Sequence, residues 1–94
     1  MNRVERRLLK VMDALAALER EERLLEGELG MHRSLHDDAV RDAVVHETPV
    51  ERENAHESGK DVRNFERALA SVAARRAALD SKRDRLMLKL GRTL

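Results

Sequence analysis

The sequence predicts an all-α fold, an antiparallel helical hairpin of coiled-coil type that dimerises into a four-helix bundle. Three observations carry that expectation. Apolar residues recur in alternating steps of three and four along both halves of the chain, which is the a/d seam of a heptad. Helix breakers are scarce, with four glycines and one proline among 94 residues. That proline, Pro49, lies just past the midpoint inside Thr48-Pro49-Val50-Glu51, a stretch that spells the start of a new helix.

Composition narrows the alternatives. Charged residues make up 39% and aromatic residues 1%, with a mean hydropathy of −0.62, so the chain has too little bulky apolar material for a large globular core. There is no cysteine, which excludes a disulfide framework, a thiolate metal site and a thiol nucleophile. No apolar run approaches the roughly 18 residues of a membrane span. The start, Met1-Asn2-Arg3-Val4-Glu5-Arg6-Arg7, has no apolar stretch behind it suited to a secretory signal. The expectation is a cytoplasmic protein that does not engage membranes.

The first helix is expected over about residues 3–46. Asn2 and Glu5 stand at capping-box spacing, so the amide oxygen can accept from the first turn while Glu5 reaches back. The seam then runs Met1, Val4, Leu8, Val11, Leu15, Leu18, Glu22, Leu25 and Leu29, and continues through His32, His36, Ala39, Ala43 and His46. Gly27 and Gly30 each cost a helix about 1 kcal/mol relative to alanine. They could end the helix near residue 30, with Ser34 capping a new one, but the seam passes them without a phase change. One helix, weak at this point, is the expectation.

A turn follows at about 47–49. Threonine is a favoured N-cap, proline at the first helical position needs no amide partner, and Glu51 completes a second capping box. Proline also drives Thr48 out of helical dihedrals, which stops the first helix. The second helix is expected over about 50–91 with the seam Val62, Phe65, Leu69, Val72, Arg76, Leu79, Arg83, Leu86 and Leu90. Ser58-Gly59 marks a candidate break near 58–60, and Gly91 reads as a C-terminal cap. The whole is expected to form a single domain over 1–94. With a tight turn, facing residue numbers sum to about 97, which sets Leu18 opposite Leu79, Leu25 opposite Val72, His32 opposite Phe65 and Glu22 opposite Arg76, and shifts of three or four residues are compatible with the same two seams.

Little in the chain points to chemistry. The carboxylates are dispersed and the serines have no neighbouring base, so no catalytic residue is expected and the chain reads as non-enzymatic. No cofactor and no metal are assigned. His32 and His36 are the one pair at i,i+4 metal-ligand spacing, and the seam accounts for both as half-packed side chains. An apolar stripe beside the seam, Leu9, Met12 and Ala16 with Met87 and Leu88, is more than one hairpin partner covers. These five residues are the expected interaction surface, and the expected partner is a second copy of the chain or another helical protein.

Charge is uneven along the chain. Residues 26–59 carry nine acids and three bases, whereas residues 60–94 carry ten bases and four acids. The hairpin is therefore expected to be acidic at the turn and basic at its termini. Arg75, Lys82 and Arg85 form the set that would touch a phosphate backbone, which gives an alternative reading as a regulator that binds nucleic acid or the transcription machinery. At the acidic end, Asp37-Asp38-Ala39-Val40-Arg41-Asp42-Ala43 resembles the tip motif of coiled-coil transcription factors that enter the RNA polymerase secondary channel. The interval between Asp38 and Asp42 is one residue longer than in the Asp-x-x-Asp-x-Ala pattern, so the family is not assigned. The layout also resembles small WXG-type proteins, a reading that the absence of tryptophan removes.

Overall fold

A computed structural model describes residues 1–93 and shows an all-α two-helix hairpin: α1 spans Arg3–His46 and α2 spans Pro49–Thr93. The first capping box is closed in both directions. The Glu5 amide donates to Asn2 Oδ1 at 2.8 Å, and the Asn2 amide donates to Glu5 Oε1 at 3.4 Å. Helix α1 passes unbroken through Gly27 and Gly30.

The turn occupies two residues. Glu47 adopts a left-handed φ of 53°, the one positive φ among the described residues, and its amide still closes a helical bond to the Ala43 carbonyl at 3.1 Å. Such a position usually belongs to glycine, and a non-glycine residue there costs on the order of 1 kcal/mol. The Arg52 guanidinium offsets part of that cost by donating to the Glu47 carbonyl at 3.2 Å. Thr48 caps α2, with its hydroxyl accepting from the Glu51 amide at 3.2 Å, and Pro49 takes the first helical position.

Two expectations about α2 need correction. There is no break at 58–60: Ser58 and Gly59 are helical, and Gly59 is buried. The reason is a close approach. A β-carbon at Gly59 would stand 3.1 Å from Cε1 of His36, closer than ordinary van der Waals contact, so the glycine lets the imidazole pack tightly against α2. Nor does Gly91 cap the helix, since α2 continues to Thr93 and no glycine has the positive φ that a glycine C-cap requires.

The chain divides into two compact units, one made of Met1–Glu22 with Ser71–Leu94 and the other of Arg23–Ala70. In the first unit the core is a small cluster of Val11, Leu15 and Leu86, against which Val4, Leu8 and Leu79 pack. Leu18 and Val72 are buried as well, Val72 completely. In the second unit the buried apolar residues are Leu29 and Val62, and beyond them the seam consists of half-buried His32, His36, Ala39 and Ala43 on α1 and half-buried Phe65, Ser58 and Ala55 on α2. The seam thins from leucine and valine to histidine, alanine and serine as it nears the turn. Each step down removes area from water-excluded contact, at roughly 25 cal/mol for every Å² not buried.

Candidate functional site

The polar residues of the seam meet in the register that the heptads imply. In the first unit Arg76 lies across from Glu22, Nη1 to Oε1 at 3.1 Å, and its second amino group reaches Glu19 Oε1 at 3.3 Å. Both ends of this group are partly solvated, with 37% of the Arg76 side chain and 27% of the Glu22 side chain exposed, so its contribution is to alignment more than to stability. Arg83, the other seam arginine, turns to Asp80 and Asp84 on its own helix, at 3.2 Å each.

In the second unit the His32 ring stacks on Phe65 with centroids 4.7 Å apart, and its Nε2 lies 3.8 Å from Glu28 Oε2. His36 Nδ1 lies 2.8 Å from the Ser58 hydroxyl, which also donates to the Ala55 carbonyl at 3.0 Å. The hydroxyl has one proton, so when it goes to Ala55 the Nδ1–H tautomer of His36 supplies the donor in that pair. The two histidines at ligand spacing therefore have separate partners on α2, a ring for one and a hydroxyl for the other.

Of the expected interaction residues, Leu9, Met12, Met87 and Leu88 are 46%, 50%, 55% and 63% exposed, and Ala16 is exposed too. They lie in the first unit, where Met12, Leu15, Ala16, Glu19 and Arg83 line one groove. On the other flank of the seam runs a larger groove of about 560 Å³ lined by Ala14, Ala17, Leu18, Ala78 and Leu79, with the Glu21–Arg75 pair at its edge. Of its alanines the sequence marked Ala17 alone, as a residue that widens the apolar stripe, because alanines beside a leucine seam register as helix formers before they register as surface. The second unit also exposes large apolar side chains, among them Leu35, Val44, Val45 and Val50. Consecutive valines at 44 and 45 are the signal that could have exposed them, since a helix cannot bury both against one partner.

The three bases of the alternative reading are placed differently from one another. Arg75 is 3.4 Å from Glu21 Oε1, Arg85 is exposed, and Lys82 is half-buried. Lys82 shares a groove with Arg7 and Lys10, over a floor of Val11, Ala14 and Leu79. The sequence offered no reason to join Arg7 and Lys10 to Lys82, because they lie on the other helix.

At the turn, Asp42 and His46 occupy one face of the last turn of α1, and Glu51 lies in the first turn of α2. One ligand atom from each, a carboxylate oxygen or an imidazole nitrogen, falls within 4.8 Å of the other two. The Oε2 of Glu51 is buried and has no hydrogen-bond partner. Among the described residues, no helix is long and apolar enough to cross a membrane. No family model, characterised protein or solved structure matches the chain.

Proposed function

We propose that the protein is a non-catalytic interaction module that associates with a second copy of itself through the outer faces of its helices. The observation that carries this reading is the exposed stripe of Leu9, Met12, Met87 and Leu88 beside a seam that the hairpin has already filled. The chain exposes 6829 Å², whereas a folded monomer of 10.8 kDa exposes about 5,500 Å². Burying apolar side chains of this size is the main drive for association.

Charge favours a pairing of unlike units between copies. The first unit holds twelve bases and seven acids, and the second holds seven bases and eleven acids. A pairing in which the basic unit of each copy meets the acidic unit of the other is favoured by charge, and both units offer apolar side chains to such a contact. Two hairpins joined in this way make a four-helix bundle. Sedimentation equilibrium over a concentration series is expected to give a dimer. Leu9→Glu, Met12→Glu and Met87→Glu together should yield a helical monomer, and a folded wild-type monomer at every concentration would remove the proposal.

The groove of Arg7, Lys10 and Lys82 supports a second reading, contact with a phosphate backbone. None of the three bases has a carboxylate partner among the described residues. Fluorescence anisotropy with a short DNA duplex should then show affinity that falls steeply with salt and is abolished by charge reversal at the three positions. Affinity indifferent to salt and to those changes would end this alternative.

A further inference from the structure

We propose that the turn of the hairpin is a divalent transition-metal site, in which Asp42, His46 and Glu51 hold a Zn²⁺ ion. The argument starts from a difference between the two helix starts. Glu5 spends its carboxylate on the Asn2 amide, which closes the first capping box. Glu51 occupies the equivalent place after Thr48 and donates its amide to the Thr48 hydroxyl, but its carboxylate does not return to the cap. Instead Oε2 is buried with no hydrogen-bond partner, and a carboxylate oxygen of Glu51 lies within 4.8 Å of ligand atoms of Asp42 and His46. A buried carboxylate oxygen without a partner is costly, and a cation satisfies it directly.

The surroundings fit that role. The side chains of Asp42 and His46 have no hydrogen bond or ion pair among the described residues, and the neighbouring Arg41 is engaged by Asp38. Asp42 and His46 are one helical turn apart, and Glu51 is brought to them by the left-handed Glu47, whose carbonyl Arg52 secures. The backbone between the three is therefore fixed while two of the side chains, both exposed, are free to rotate. Their ligand atoms lie within 4.8 Å of one another. Around an ion with bonds of about 2.1 Å, tetrahedral neighbours stand about 3.4 Å apart, so closure needs only side-chain rotation.

The donor set selects the ion. One imidazole nitrogen and two carboxylate oxygens suit zinc and its neighbours, whereas calcium and magnesium call for shells made of oxygen. Three protein ligands leave the fourth position to water. An ion held this way ties the end of α1 to the start of α2, where apolar packing is thinnest. This inference does not rest on self-association, since all three ligands come from one chain.

Calorimetric titration of the tag-free, metal-stripped protein with ZnCl₂ tests it, with Co²⁺ as the spectroscopic probe. The expected result is one Zn²⁺ per chain with micromolar affinity, a rise in thermal midpoint of several degrees, and visible Co²⁺ bands of a low-coordinate N/O site. Affinity should fall at least tenfold in His46→Ala and in Glu51→Gln, and stay unchanged in His32→Ala and His56→Ala. Circular dichroism reports whether each variant is folded. Should Glu51→Gln not fold, Asp42→Asn at an exposed position takes its place with the same tenfold expectation. Affinity weaker than millimolar, equal affinity in the wild type and the ligand variants, or loss on replacing His32 would each overturn the proposal.

Discussion

Replacing Leu86 by alanine is expected to cost about 2–3 kcal/mol, a large share of what holds a hairpin of this size together. Leu86 is 3% exposed and belongs to a cluster whose other buried members are Val11 and Leu15. Deleting buried methylenes loses their transfer free energy and leaves a cavity, and leucine-to-alanine changes in cores span about 2–5 kcal/mol. The low end applies here, because two helices with solvent on their flanks can settle into the gap more easily than a closed core. In a domain of this length each kcal/mol moves the thermal midpoint by about 4–8 °C, so the loss should be roughly 10–20 °C. The control is Leu24→Ala, at a leucine 73% exposed, where a change within about 0.5 kcal/mol is expected. Thermal melts by circular dichroism decide between them, and equal shifts in both variants would mean that this cluster is not the core.

The contrast between these two leucines shows what periodicity conveys. Leu24 and Leu86 are the same residue in helices of similar length, and only the 3–4 stepping says that one faces the seam. Periodicity narrowed the register to steps of three or four residues, and the structure selects among them. The short turn set by Thr48-Pro49 makes facing numbers sum to about 97, and the His32–Phe65 stack and the Glu22–Arg76 ion pair are the contacts that follow. The glycines were not legible, since a missing side chain announces freedom and hides its reason. Gly59 suggested a break, whereas it makes room for His36, and that fact belongs to the opposite helix.

The turn cluster was hidden by a similar cause. Spacing along one helix drew attention to His32 and His36. The group at the turn joins residues from two helices across a left-handed Glu47, a conformation that glutamate gives no reason to expect. Glu51 also had a complete local explanation as a capping-box residue. It required the geometry to show that its amide serves the cap and its carboxylate does not.

The remaining glycines of α1 lead to the second large effect, of opposite sign. Gly27→Ala with Gly30→Ala is expected to stabilise the protein by about 1.5–2 kcal/mol, near 1 kcal/mol for each site. Both are exposed in the interior of an unbroken helix, neither has a positive φ, and a β-carbon at either position would meet nothing within 4 Å. Alanine therefore adds no clash, and it reduces the backbone freedom that the unfolded chain loses on folding. With no shared partner in range, the two gains should nearly add and raise the melting midpoint by roughly 6–16 °C. Gly59→Ala supplies the comparison. There the same propensity gain is opposed by a β-carbon 3.1 Å from Cε1 of His36, a ring whose Nδ1 already lies 2.8 Å from the Ser58 hydroxyl. Its net effect should fall well short of either exposed site. Amide hydrogen exchange separates the mechanisms: slower exchange centred on residues 27–31 in the double variant is the mark of a helix relieved of its weak turn. A double variant no more stable than the wild type would mean that the glycines serve a contact outside the single chain, since nothing within it opposes the added methyl groups.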